Sequence, residues 1–319
     1  MKSSALSTEV CGRASVVDDE RSVGTERQAQ PQMVRDVLDL TKARVMVLVL
    51  VTTVAGFVLA TNAGAPMAVW LLVHTMLATA LLGGGGAALN QYLEYDRDRR
   101  MARTSGRPLP SGRMSPRAAW LIGTSLAIGG VVYLLAATTP LAALVAAVTV
   151  ILYGFVYTPL KTRTHVATLV GAIPGALPPL IGWAAASGEL SANAWLLFGI
   201  LFFWQLPHFL AIGWLYRTDY RSGGFPMLMV LDRSGRAVSR QVLLNSAALL
   251  VTSLLPTLAG QCGVVYFFIA LALGLAFLFV ATWFASRRSE NAARAVVLGS
   301  IVYLPILLAA MILDAVAIA

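Results

Sequence analysis

Asn90, Glu94 and Asp98 recur four residues apart in NQYLEYDRDRRMARTSGRPLPSGR, the most charged stretch of the chain. At 100° per residue these positions drift only about 80° around a helix while rising about 12 Å along it, so an amide and two carboxylates share one face. Hard oxygen ligands at this spacing suit a divalent cation such as Mg²⁺, which is usually held by one or two carboxylates and completed by substrate phosphate oxygens. Asp96 lies off that face and joins it only if the helix unwinds at its end. Just downstream, Gly106, Pro108, Pro110 and Gly112 interrupt any continuous helix. There Arg103, Arg107 and Arg113 can aim planar donors at phosphate oxygens. A plainer reading makes the arginines membrane-surface anchors and the acids their solvated partners. An anchor, however, needs no carboxylates at helical spacing.

A second charged segment, LYRTDYRSGGFPMLMVLDRSGR, carries Asp219 flanked by Tyr216, Arg217, Tyr220 and Arg221. If both segments face one cavity, acids from each hold metal ions and the arginines neutralise the remaining charge of a diphosphate. Glu94, Asp98 and Asp219, with Asp96 as an additional candidate, are then the metal ligands. Asn90 completes the catalytic set.

The elements that must position these residues are membrane helices. Of 319 residues, 58% are hydrophobic and 12% charged, and the mean hydropathy is +0.74; soluble domains carry about twice that share of charge. Apolar runs long enough to cross a hydrocarbon core of roughly 30 Å centre on 44–61, 67–92, 117–137, 140–157, 168–187, 193–215, 241–260, 263–284 and 295–318. They do not alternate as barrel strands do, so an all-α integral membrane protein with nine transmembrane helices around a central cavity is expected. All 24 Lys and Arg residues fall in the N-terminal stretch through Arg44, in 94–117, at Lys161 and Arg163, in 216–240, and at Arg287, Arg288 and Arg294. The positive-inside rule puts each of these on the cytoplasmic side, with the N-terminus inside and the C-terminus outside. The net charge of +9 then reports topology, and nucleic acid is not an expected partner. Residues 1–34 read as a disordered cytoplasmic tail, unlike a secretory signal or an acid-poor transit peptide, and 35–319 as one membrane domain. Cys11 and Cys262 form no disulfide framework.

These motifs resemble the UbiA-type intramembrane prenyltransferases: N-x-x-x-E/D-x-x-x-D followed by R-T-x-x-R-P-L matches that family's first signature. LTKARV at 40–45, YTPLKTRT at 157–164, GAIPGALPPLIGW at 171–183, FFWQLPHFLAI at 202–212 and DYRSGGFPML at 219–228 are similar to its heme-modifying branch. The resemblance implies nine transmembrane helices and Mg²⁺ as cofactor, while the composition of residues 1–34 points to a bacterial plasma (inner) membrane. It also implies transfer of a farnesyl group from farnesyl diphosphate to a vinyl group of heme b, giving heme O for terminal oxidases. It places Asn90, Glu94 and Asp98 at the first metal-diphosphate position and Asp219 at the second. Arg103, Arg107, Lys161 and Arg163 become the diphosphate cradle, with Lys42 and Arg44 as further contributors; Tyr216, beside Asp219, is a further substrate-binding candidate. Many family members have a second acid four residues after the first in this second loop, where this chain has Gly223. Candidate partners are the lipid bilayer and heme A synthase or terminal-oxidase assembly components.

His208, after a proline in an aromatic segment, could approach heme iron or a propionate; a structural role fits it equally. His74 and His165 read as packing and solvated residues. Gly83 to Gly86 either pack helices closely or leave room for a polyprenyl chain or porphyrin. A related prenyltransferase acting on a quinone or chlorophyll precursor is the enzymatic alternative. A transporter would need ionisable residues at mid-membrane depth, and the apolar runs hold almost none.

Overall fold

The computed structural model describes residues 32–65 and 67–318. Most of the tail expected over 1–34, including Cys11, lies outside these residues. Residues 32–34 belong to a short helix over 32–40.

Among the described residues, nine helices are long and apolar enough to cross a membrane and none forms a strand. They are α1 (Ala43–Asn62), α2 (Val69–Asp98), α3 (Pro116–Ala137), α4 (Pro140–Leu160), α5 (Ala167–Ser187), α6 (Ala192–Leu215), α7 (Arg236–Leu258), α8 (Val264–Arg287) and α9 (Glu290–Ile318). Several run past the apolar stretches that announce them. Hydropathy stops where charge begins, whereas backbone hydrogen bonding continues through Asp98 in α2 and starts at Arg236 in α7 and Glu290 in α9.

Local sequence sets the helix starts. Ser115 and Thr139 accept from the backbone N–H groups of Ala118 and Ala142, each at 3.2 Å, with Pro116 and Pro140 in the first helical position. Asp232 does the same for α7, its Oδ2 accepting from Ala237 N at 2.7 Å and Val238 N at 3.1 Å. Burial works against its charge, but the hydrogen bonds from Ser234 and these backbone groups outweigh it and hold the carboxyl below its ordinary value. Prolines interrupt an interior helix: α5 breaks at Leu177, between Ala167–Ala176 and Pro178–Ser187, within the run PGALPP. Near its end α4 widens into a π-turn, Leu152–Tyr157. Pro159 two residues on has no N–H to continue the ladder, and the Thr158 hydroxyl instead donates to the Tyr153 carbonyl at 2.8 Å.

Small residues let the helices approach closely. A Cβ on Gly182 would run into the Thr53 carbonyl and one on Gly56 into Pro179, so α1 and α5 cross backbone against backbone. Three of the four consecutive glycines of α2 serve packing: Gly85 lies against Gly123 and Ala127 of α3, Gly83 against Met46 and Gly84 against Thr41. Gly86 faces the Tyr153 ring, whose Cδ1 lies 3.6 Å from the position a Cβ would take.

The core has two main parts. One packs α6 to α9 around Trp183, Tyr266, Tyr303 and Phe284, and the other draws Phe57, Leu134, Leu180 and Ile181 together from the first five helices. Contacts of Lys42 with Asn90, Lys161 with Glu94, Arg97 with Gly224 and Arg217 with Glu290 gather the segments 99–115, 161–166, 216–235 and 288–289 at one end with the start of α1. The turns at the opposite end contain no Lys or Arg.

Candidate active site

At the charged end, the continuous helix α2 presents its acids as the spacing requires. Asn90, Glu94 and Asp98 are all buried, at 3%, 3% and 1% exposure. Each meets a cation or polar partner from another element. Lys42 Nζ donates to Asn90 Oδ1 at 3.0 Å, and Asn90 Nδ2 donates to Thr158 Oγ1 at 3.3 Å. Lys161 Nζ donates to Glu94 Oε2 at 3.0 Å. Arg107 Nη1 donates to Asp98 Oδ2 at 2.6 Å. In both carboxylates the second oxygen, Glu94 Oε1 and Asp98 Oδ1, is buried with no hydrogen-bond partner. A buried, unpartnered carboxylate oxygen is costly. Two of them one helical turn apart are a donor set that fits a divalent cation.

The cationic residues differ electrostatically. Burial, helped by Arg107 and Lys161 and opposed by Glu94 and Asp98, lowers the Lys42 pKa to about 8. For Lys161 burial also opposes the charge, but Glu94 outweighs it and holds the ammonium above the ordinary lysine value. Lys161 also sits over the Phe225 ring at 4.6 Å, a cation–π contact from the end of α4 to the second charged loop.

Lys42 occupies the break between the 32–40 helix and α1 with φ 51°, in the left-handed region. Gln91 holds that break: its Nε2 donates to the carbonyls of Asp39 at 2.8 Å and Leu40 at 2.9 Å. Arg113 is taken up by structure, donating to Asp36 Oδ1 and the Gly106 carbonyl, each at 3.0 Å.

The second charged loop lies against the first. Arg103 Nη2 donates to the Tyr220 hydroxyl at 3.2 Å, and its guanidinium stacks 4.6 Å from the Tyr216 ring. Asp219 is half-buried on the short helix Arg217–Ser222. Among the described residues no three His, Cys, Asp or Glu side chains are close enough to hold a metal ion. The loops meet, but Asp219 does not join Glu94 and Asp98 as a ready-made third ligand.

Four expected residues stand apart from this cluster. Asp96 is 69% exposed and 3.9 Å from Arg99, because α2 stays wound and two residues turn it about 200° from Glu94. Arg44 and Arg163 are exposed. His208 lies seven residues inside the end of α6, its Nδ1 2.7 Å from the Ser300 hydroxyl and its ring stacked on Trp204. His74 packs on Tyr133 as expected, 2.7 Å from the tyrosine hydroxyl, and His165 is exposed. Sequence reading gave Gln91 and Arg97 no role and named Tyr220 only as a neighbour of Asp219. Arg97 was within reach of the same arithmetic, since it lies seven residues after Asn90 on the same face.

A buried acid face opposed by lysine and arginine at one end of nine membrane helices defines an intramembrane enzyme for an anionic, lipid-tailed substrate. The UbiA prenyltransferase family profile matches residues 49–307, and the chain belongs to that family. It is 44% identical over 291 residues to the protoheme IX farnesyltransferase of Solibacter usitatus, covering 88% of this chain and 98% of that protein. It is 45% identical to the protoheme IX farnesyltransferase of Opitutus terrae, covering 88% and 94%. Among solved structures, a digeranylgeranylglyceryl phosphate synthase has the same fold (TM-score 0.75, 15% identity, 90% of this chain and 99% of that one). So has a UbiA homologue from Archaeoglobus fulgidus bound to GPP and Mg²⁺ (TM-score 0.62, 16% identity, 86% and 99%).

Proposed function

We propose that the protein transfers a farnesyl group from farnesyl diphosphate to a vinyl group of protoheme IX, heme b, giving heme O. The observation that carries the donor half is the pair of unpartnered oxygens on Glu94 and Asp98, framed by Lys42, Lys161 and Arg107. The acceptor half rests on the relatives named protoheme IX farnesyltransferase, similar over 88% of the chain.

Glu94 and Asp98 would hold Mg²⁺, with Asp219 engaging from the second loop. When bound, the metal neutralises charge that develops on the departing diphosphate. The chain's own part is to turn Lys161, Arg107 and Lys42 toward the diphosphate oxygens and to keep bulk water away from the allylic carbon. Breaking the C–O bond releases diphosphate and leaves an allylic cation. The terminal vinyl carbon of heme forms the new C–C bond, water adds at the adjacent carbon, and one proton is lost, giving a hydroxyethylfarnesyl group. No side-chain nucleophile is needed. The charged end faces the cytoplasm of a bacterial inner membrane, with the C-terminus outside.

Purified protein supplied with heme b, farnesyl diphosphate and Mg²⁺ should yield the prenylated, hydroxylated porphyrin by mass spectrometry. A chelator should stop the reaction and added Mg²⁺ restore it. Alkylation of a hydroxybenzoate or quinone precursor alone would overturn the heme acceptor and leave prenyl transfer standing.

A further inference from the structure

The two charged loops come from distant parts of the chain, and few side chains join them. Arg97 is the most direct connection. Its Nη1 donates to the carbonyls of Gly223 at 3.2 Å and Gly224 at 2.8 Å, 126 and 127 residues away. The guanidinium also lies over the buried Phe225 ring at 5.3 Å. These carbonyls sit just beyond the short helix Arg217–Ser222 that bears Asp219, where Gly224 takes φ +69° and reverses the chain. On α2, Arg97 is one residue from Asp98 and shares the face of Asn90 and Glu94. Four residues on, Met101 is buried beneath Gly223, its Sδ 3.0 Å from where a Cβ would stand.

We propose that Arg97 is a positioning residue that locks the Asp219 segment onto the acid face of α2 and so sets the spacing of the two halves of the diphosphate site. A cation here would be expected to reach for a carboxylate, and Glu94 and Asp98 are near in sequence. Those acids already have Lys161 and Arg107, while Arg97 turns its Nη1 to backbone oxygens of the opposing loop. Two carbonyls and an aromatic face make a contact that planar guanidinium fills and an ammonium fills in part. Because the contact is to main chain at the end of the Asp219 helix, it fixes that helix whatever side chains it bears.

The functional half of this inference rests on the proposed prenyl transfer, and its test separates the two. Spin labels at Arg100→Cys and Ser222→Cys, both exposed positions, in a Cys11→Ser background report the loop-to-loop distance without any substrate. A narrow distribution is expected with Arg97, a clearly broader one in Arg97→Gln, and an intermediate one in Arg97→Lys. In unlabelled protein, Arg97→Gln should raise the KM for farnesyl diphosphate and the half-saturating Mg²⁺ concentration about tenfold, with a smaller fall in kcat and with Arg97→Lys recovering part of the loss. An unchanged distance distribution in Arg97→Gln overturns the clasp. A broadened one with unchanged KM and Mg²⁺ requirement overturns its role in positioning. Absence of heme prenylation in every variant, wild type included, would count against the proposed function while the distance measurement still decides the clasp.

Discussion

Lys161 and Glu94, 67 residues apart in sequence, meet at 3.0 Å with both side chains almost fully removed from solvent. This pair brings the end of α4 to the acid face of α2. A buried ion pair contributes little net stability relative to apolar packing, yet losing one member leaves an uncompensated charge that costs about 3–5 kcal/mol. Lys161→Met should therefore lower the apparent melting temperature in detergent more than the double variant Lys161→Met with Glu94→Gln. Equal melting of the two would show that the pair is not coupled.

Asp98 has one oxygen on Arg107 and one with no partner. Asp98→Ala and Asp219→Ala should each abolish prenyl transfer and leave membrane insertion and monodispersity on size exclusion unchanged. Turnover near the wild-type rate in either variant would remove that residue from the site.

Lys42 supplies a pH dependence. Its pKa is lowered to about 8 by burial first, so its ammonium is lost from the diphosphate cradle as pH rises through that value. The kcat/KM for farnesyl diphosphate should fall on that alkaline limb, and Lys42→Arg should flatten it. For folding the sign is opposite. Between about 8 and the ordinary 10.5 the unfolded chain binds the extra proton, so this residue makes stability increase with pH across that window. A pH profile identical in Lys42→Arg would exclude Lys42 from the cradle.

The crossing of α1 and α5 predicts a steep packing penalty. Gly182→Ala forces a Cβ into the Thr53 carbonyl, whereas Gly129→Ala points into open space. The first should destabilise by about 1–3 kcal/mol or more and the second be close to neutral, read from thermal unfolding of the two variants.

The sequence announced the fold more fully than the site. Nine apolar runs and basic residues confined to alternate connections both reappear in the structure. The i, i+4, i+8 spacing of Asn90, Glu94 and Asp98 likewise became one buried face, because helical periodicity is a property of the chain itself. Asp96 and Arg163 show the limit. Their residue types fit the chemistry, but helix phase and loop path left both exposed.

Sequence alone determined which groups are present, on which helix face, and at which end of the apolar runs, since hydropathy and helical phase are local quantities. Only the tertiary structure decided their partners: Lys42 with Asn90, Lys161 with Glu94, Arg107 with Asp98, and Arg97 with the carbonyls beyond Asp219. The reason is that a side chain's partner across a helix bundle depends on crossing geometry and loop path. Those are fixed by close contacts such as Gly56 on Pro179, between residues far apart in the chain.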